Sequence, residues 1–254
     1  MARSKVKNLL LLKQIHSAVT QIKKGKLDKA LDTLDKAEKS AKQAKSTDAL
    51  YYILFTRGGI LYSAKEYDRA LKTYEKALKV GSELLENDPE NTDYQHYMGT
   101  TLSNMGNLLR KKGEVDRAVE SYSSARKIYS DLITKDPENA VYRSYAGENL
   151  NNYGYLLLEV GSPDSACEIQ TEAVEIYEKL FEEKPDNLGY QAELSVALSQ
   201  LGSCLKQQAP EDTESAKKTL ERALEMQEKL LTQQPENEKL REATTLTKER
   251  LEGL

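Results

Sequence analysis

The tetrapeptide DPEN at 136–139 closes a segment that recurs along the chain. The same tetrapeptide occurs at 88–91, and the variants KPDN and QPEN occur at 184–187 and 234–237, which places their prolines at positions 89, 137, 185 and 235, at intervals of 48, 48 and 50. Four glycines repeat at the same interval of 48 and in the same phase: Gly58, Gly106, Gly154 and Gly202. A fixed period of this size is typical of a solenoid, in which each unit completes its core by stacking on the next.

Two amphipathic helices are predicted within each period. The first helix of the segment after Pro89 carries a stripe with the spacing i, i+4, i+8, i+11, i+12 and i+15, which lies on one face of a 3.6-residue helix. Its residues are Tyr94, Met98, Leu102, Met105, Gly106 and Leu109. The stripe recurs one period later as Tyr142, Ala146, Leu150, Tyr153, Gly154 and Leu157, and again as Tyr190, Leu194, Leu198, Leu201, Gly202 and Leu205. The pattern therefore predicts the same first helix three times.

The second helices agree with each other in the same way. Their matching residues are Ala118, Tyr122, Ala125, Ile128 and Leu132, then Ala166, Gln170, Ala173, Ile176 and Leu180, then Ala216, Leu220, Ala223, Met226 and Leu230. The last match needs two extra residues near 208–210, which predicts a longer turn in that unit. The recurring small residues predict close helix contacts, where a larger side chain would overpack.

The predicted architecture is all-α, a single array spanning residues 1–254. It consists of five antiparallel helix pairs at about 5–45, 47–89, 92–137, 140–185 and 188–235. A final helix at 236–251, with the stripe Leu240, Ala243, Leu246 and Leu251, is expected to cap the array. The prolines end the second helices, and the asparagines beside them are suited to capping the next first helices.

These residues resemble the tetratricopeptide-repeat family. Its glycine, two alanines and proline are matched by Gly58, Ala70, Ala77 and Pro89, by Gly106, Ala118, Ala125 and Pro137, and by Gly154, Ala166, Ala173 and Pro185. The family period is about 34 residues, so each helix here is expected to be about two turns longer, as in the kinesin light chain branch. The first unit departs from the pattern, because Ala18 stands in place of glycine. The resemblance implies a right-handed superhelical α-solenoid whose first helices line a concave groove that commonly holds a segment of a partner protein.

Composition excludes several classes of function. The 41 acidic and 37 basic residues are finely interspersed and give a net charge of -4, without the concentrated basic surface of a nucleic-acid-binding protein. The apolar run 9–12 follows three basic residues but is too short for a signal peptide, and no stretch is long enough to span a membrane. We expect a soluble cytoplasmic protein. Cys167 and Cys204 are interpreted as small apolar core residues.

No catalytic or metal site is predicted. His16 and His96 belong to different predicted units, no glycine-rich phosphate loop occurs, and the Cys and His residues lack ligand spacing. Asp and Glu fall mostly at the spacing of a solvated helix face. We therefore expect a protein that is not an enzyme and uses no cofactor.

The candidate ligand-binding residues lie on the face of each first helix away from its apolar stripe. They are Thr100, Asn104, Asn107 and Lys111, then Asn151, Asn152 and Tyr155, then Gln200 and Ser203. Asparagine and glutamine offer both donors and an acceptor, so this face can match the peptide groups of a partner whatever its sequence. The alternative is that these residues only solvate the helices. The family's carboxylate clamp is disfavoured, because this face carries Glu148 and no cation in the fourth unit.

The leading functional hypothesis is a scaffold or adaptor that binds a protein or peptide segment in the groove. The alternatives are a homo-oligomer assembled through the array ends or through Tyr97 and Tyr145, and a stand-alone regulatory fragment of a multidomain partner system. An enzyme with an unrecognised site is a further alternative.

Overall fold

In the computed structural model, residues 2–211 and 213–254 are described, with side chains from Lys13 onward, so the apolar run 9–12 lies outside the described side chains. Over these residues the chain contains α-helices and no β-strand. The helices are α1 (Ala2–Lys23), α2 (Leu27–Ala44), α3 (Thr47–Ser63), α4 (Tyr67–Asn87), α5 (Thr92–Lys112), α6 (Val115–Lys135), α7 (Ala140–Glu159), α8 (Pro163–Glu183), α9 (Leu188–Gln208), α10 (Glu214–Gln233) and α11 (Glu238–Glu252). The all-α prediction is confirmed.

The helices follow the predicted order of five pairs and one final helix. Contacts join α1 with α2 and α3 with α4, and likewise α7 with α8 and α9 with α10. Contacts divide the chain into two compact units, Met1–Ser121 and Tyr122–Leu254. We call them unit one and unit two and describe each by itself.

Asparagine caps set where the first helices of the later pairs begin. The Asn139 side-chain oxygen accepts hydrogen bonds from the backbone N–H groups of Val141 (3.1 Å) and Tyr142 (3.3 Å). The equivalent asparagines that begin α5, α9 and α11 cap in the same way: Asn91, Asn187 and Asn237. Each cap satisfies donors that a helix start leaves without a partner. The turns inside three pairs contain a left-handed glycine, namely Gly25, Gly113 and Gly161, with φ of 69°, 76° and 74°.

The repeating glycines lie where the two helices of a pair are closest. A Cβ atom on Gly202 would lie 2.5 Å from Leu220 Cγ and 3.2 Å from the carbonyl oxygen of Ala216. On Gly58 it would lie 2.5 Å from the ring of Tyr74. The contacts with Leu220 and Tyr74 are too short for packed atoms, so a side chain could enter only by moving the facing helix. The predicted packing role of these glycines is confirmed.

The final helix buries one residue of the predicted stripe, Leu240, but exposes another, Leu246. Leu246 is 44% exposed, whereas Thr244 and Thr247 are 4% and 0% exposed. The capping asparagines Asn187 and Asn237 are 50 residues apart instead of 48. Equivalent positions of α9 and α11 are therefore found by counting from these asparagines. By that count Lys248 occupies the position of the stripe residue Leu198. The face of α11 that would receive a second helix is therefore polar.

The first helix packs on α2 around Ala18. Ala18 is fully buried, but its neighbour Val19, an apolar residue one position on, is 37% exposed. Ile15 and Ile22 pack on the same cluster as Ala18. Ala18 therefore occupies the centre of the contact between α1 and α2, consistent with the glycine position it replaces.

Candidate functional site

In unit one the predicted ligand-binding residues follow one side of α5. Thr100, Asn104 and Asn107 are half-buried, and Lys111 is exposed. The Thr100 hydroxyl donates to the carbonyl oxygen of His96, one turn earlier in the same helix (3.0 Å). The spacing of four, three and four residues keeps all four side chains on one face over three helical turns.

In unit two the predicted residues come from two first helices, α7 and α9. Asn152 and Tyr155 of α7 are half-buried, as are Gln200 and Ser203 of α9. Asn151 is far less accessible, with only 5% of its surface exposed. The face that the sequence predicts to point outward is therefore partly enclosed where the two first helices lie side by side.

A buried glutamine joins these two helices. Gln170 of α8 is fully buried, and its side-chain nitrogen donates to the backbone carbonyl of Asn151 (3.1 Å) and to the side-chain oxygen of Gln200. Other second helices carry Tyr122 or Leu220 at this position. The sequence pattern places Gln170 on the packing stripe. The equivalent positions are tyrosine and leucine, so a polar amide here is the one signal in the sequence that this residue forms hydrogen bonds in the core.

The final helix adds a cation that sequence analysis missed. Arg250 of α11 donates to the Ser199 hydroxyl (2.8 Å), and Ser199 is hydrogen-bonded to Thr247 (2.7 Å). Burial lowers the pKa of Arg250, since it disfavours the charged form. Counted from the capping asparagines, Arg250 occupies the position of Gln200 and Asn152. That count could have identified it.

Arg250 borders a cavity of about 280 Å³. The cavity is lined by Gly202, Ser203, Lys206, Gln207, Leu220, Arg250 and Gly253. Lys206 donates from its ammonium group to the carbonyl oxygen of Gly253, which holds the end of α11 against α9. Ser203, a predicted ligand-binding residue, therefore lies beside two cationic side chains.

Two glutamates on the first helices of unit two differ from most carboxylates in the chain. Glu148 of α7 and Glu193 of α9 are exposed, yet the surrounding protein displaces enough water to raise the pKa of each carboxyl group. The negative charge of Glu148 contributes to the rise at Glu193, and Lys239 and Asn151 oppose it. Ion-paired carboxylates behave in the opposite way. Arg143 lies 2.5 Å from Glu183 and lowers the pKa of that group.

These raised pKa values predict a measurable effect of pH on stability. The folded protein favours the neutral carboxyl groups, so ionising them costs stability as the pH rises above their ordinary value of 4.5. A Glu148→Gln/Glu193→Gln variant is expected to melt at a higher temperature than wild type near neutral pH. The gain should shrink as the pH falls below 4.5, because both groups are then neutral in the folded and unfolded wild type alike.

Thermal unfolding followed by circular dichroism across this pH range measures the effect. The matched control is Glu175→Gln/Glu221→Gln, which removes the same charge from exposed positions on α8 and α10. The Glu148→Gln/Glu193→Gln protein is called the groove variant below. If the control gains as much as the groove variant near neutral pH, the loss of water around Glu148 and Glu193 is not the cause.

The described residues offer no site for a bound metal. Among them, no group of three or more His, Cys, Asp or Glu side chains is placed to hold an ion. Cys167 and Cys204 are both free and buried, as predicted for small apolar residues. In the part of the chain that the structure covers, no helix is long and apolar enough to cross a membrane.

Comparison with protein families finds tetratricopeptide repeats in two parts of the chain. Two family patterns with the description "Tetratricopeptide repeat" match residues 51–80 and 101–139. No curated protein matches the sequence closely enough to count as a relative.

Several solved structures have the same fold, and one of them is described as a putative kinesin light chain. The chain is similar to BtubC (BKLC) from P. vanneervenii, with 22% identity, a TM-score of 0.71 and coverage of 86% of this chain and 80% of the other. It is also similar to putative kinesin light chain TPR-like repeats from Podosopora anserina, with 20% identity, a TM-score of 0.59 and coverage of 88% and 96%. A third similar structure is the apo form of RapI, with 15% identity, a TM-score of 0.66 and coverage of 86% and 70%. At these identities the likeness concerns the fold.

Proposed function

We propose that this chain, which is a tetratricopeptide-repeat protein, is a non-catalytic interaction scaffold whose first helices bind a segment of a partner protein. One observation supports this most directly. In unit two, three successive first helices present a half-exposed polar side chain at the same position, namely Asn152, Gln200 and Arg250. A row of this kind runs across the helices, as an extended segment would.

The residues in this row are held in place before any partner arrives. Gln170 fixes the Gln200 side chain, and Ser199 accepts from Arg250. A partner would therefore lose less of its binding free energy to ordering these side chains. Amides and a guanidinium group also suit a peptide backbone, because they supply donors and acceptors at several points.

The same chemistry occurs in unit one. Asn104 and Asn107 of α5 lie one turn apart and are half-buried. We infer that they bind a partner in the same manner as Asn152 of α7, and that Thr100 and Lys111 border that surface. Tyr155 and Ser203 are assigned to the edge of the surface in unit two.

Site-specific crosslinking tests where the partner binds. A photoreactive amino acid is introduced at Asn152, and in a matched protein at Glu221, which is exposed on the second helix α10. Partners from cells that express the chain are expected to crosslink at Asn152 and to be depleted at Glu221. Equal capture at both positions would argue that binding does not use the first helices.

A substitution experiment then measures the contribution of the amides. The triple variant Asn104→Ala/Asn107→Ala/Asn152→Ala is expected to weaken binding of the captured partner about tenfold or more, since each hydrogen bond contributes about 0.5–1.5 kcal/mol. Helix content by circular dichroism should stay unchanged. Undiminished binding by a folded variant would remove the amide row from the proposal.

Self-assembly is a second candidate, supported by an apolar pair on α7. Val141 and Tyr145 are 53% and 37% exposed and lie one turn apart. Tyr97, the other position considered for assembly, is half-buried, with its ring 4.7 Å from that of Tyr52. Sedimentation across a range of concentrations distinguishes the two functions. A monomer at every concentration would count against self-assembly, whereas an oligomer that Val141→Lys dissociates would support it.

A further inference from the structure

The most unusual charges in unit two are the two glutamates without a cation in contact. Glu148 and Glu193 are exposed carboxylates on adjacent first helices, α7 and α9. Neither forms an ion pair within the described residues, although other carboxylates of unit two do. Glu172 lies 2.6 Å from Arg126, and Glu178 lies 2.6 Å from Arg222. The two glutamates therefore place two negative charges on adjacent helices, and the charge of Lys239 on α11 offsets part of that of Glu193.

A buried tyrosine near these carboxylates is held in place by a hydrogen bond and by close packing. Tyr177 of α8 is 1% exposed, and its hydroxyl donates to the carbonyl oxygen of Ser144 (3.2 Å). Its ring reaches α7 because residue 147 is glycine, where a Cβ atom would lie 2.6 Å from the ring. The charges of both Glu148 and Glu193 act on the Tyr177 phenol. Both carboxylates therefore lie near one buried aromatic ring, one on α7 and one on α9.

A third polar group points to a ligand at the same place. Asn151 is one turn after Glu148 on α7 and only 5% exposed, and its side chain lies close enough to Glu193 to favour the charged carboxylate. Its side-chain oxygen accepts no hydrogen bond among the described residues. A buried acceptor without a partner costs stability unless another group satisfies it. Asn151 thus supplies an acceptor that the fold does not use.

We propose that Glu148, Glu193 and Asn151 form a seat for the ammonium group of one lysine in the partner segment. An ammonium group has three donors and no acceptor, which matches two carboxylates and one amide oxygen on separate helices. A guanidinium group favours a single carboxylate in its planar fork and fits three separated acceptors less well. This inference rests on the proposed function, because it specifies one residue of the segment that the first helices bind.

Selection from a library of random heptapeptides tests the seat even though the partner is unidentified. Peptides selected on wild type are expected to be enriched in lysine at one position. Peptides selected on Glu148→Gln/Glu193→Gln should lose that enrichment, whereas those selected on the control Glu175→Gln/Glu221→Gln should keep it. Lysine enrichment that persists on the groove variant, or that arginine matches, would overturn the assignment.

A titration of one selected peptide gives the size of the effect. Replacing its enriched lysine by norleucine is expected to weaken binding to wild type about tenfold, the loss of one charge-assisted hydrogen-bond set. The same replacement should have no effect on the groove variant. In nuclear magnetic resonance spectra the Asn151 side-chain amide should shift only with the lysine peptide, and an unchanged signal would contradict the seat.

The outcomes separate this inference from the function on which it rests. Wild-type binders without a preferred lysine would leave the scaffold function standing and remove the seat. A folded wild-type protein that selects no peptide and captures no partner by crosslinking at Asn152 would remove both. Matching melting curves for the two double variants below pH 4.5, where both groups are neutral in the folded and unfolded wild type, would show that Gln at positions 148 and 193 does not unfold the protein.

Discussion

Replacement of Tyr74 by alanine is expected to lower the free energy of unfolding of unit one by about 3–5 kcal/mol, the usual cost of removing a buried aromatic ring. Tyr74 is 1% exposed, and its ring packs against α3 at Gly58, where the glycine has no side chain. The cavity left by the ring cannot close without moving one helix toward the other. Urea unfolding followed by circular dichroism measures the loss.

A second substitution checks that this close contact is the cause. Gly58→Ala alone is expected to cost about 1–3 kcal/mol, because its Cβ atom would meet the Tyr74 ring. In the Tyr74→Ala background the same change should cost much less, since the space is then empty. Two additive effects would contradict the contact between Gly58 and Tyr74.

Replacement of Gln227 by leucine is expected to have a large effect in the opposite direction, raising the free energy of unfolding of unit two by about 1–3 kcal/mol. Gln227 of α10 is fully buried, and neither of its side-chain polar atoms has a hydrogen-bond partner among the described residues. Earlier repeats carry Tyr129 and Tyr177 at this position. An apolar side chain of similar size avoids burying an unsatisfied amide. Chemical denaturation measures the gain.

Gln170 provides the matched control for this prediction. It is equally buried, but its nitrogen bonds to Asn151 and Gln200. Gln170→Leu is therefore expected to destabilise unit two, because the two oxygens that accept from Gln170 lose their partner. If both leucine variants changed stability in the same direction, hydrogen bonding would not distinguish the two glutamines.

Much of the fold could be predicted because its determinants are local. A capping asparagine, a proline after a helix and a glycine at a close contact each act within a few residues, and all recur at a fixed spacing. The prediction is wrong where the spacing changes. Two residues inserted before α10 shift the numbering of α11, so the pattern places Leu246 on a buried stripe that Thr244 and Thr247 occupy.

The candidate site could be predicted only in part, because its residues depend on contacts between helices. Asn152, Gln200 and Ser203 are accessible as expected, and their role in binding stays a prediction. The enclosure of Asn151 arises from the neighbouring first helix and leaves no periodic signal of its own. Arg250 is missed for a simpler reason. From the sequence, α11 is interpreted as a capping helix, and its positions are not compared with those of the first helices.

The asparagine caps also bear on how the chain folds. Each cap bonds to groups within three residues, so a first helix can begin before its neighbours are present. Of the hydrogen bonds described above, the one from Arg250 to Ser199 joins the residues that are farthest apart in the sequence. They are 51 positions apart, which is about one repeat. Loops of this length close at modest entropic cost, and contacts of short range favour rapid folding. A nascent chain can therefore form each first helix early, whereas the core of a repeat is completed only when the next repeat has been synthesised and packs on it.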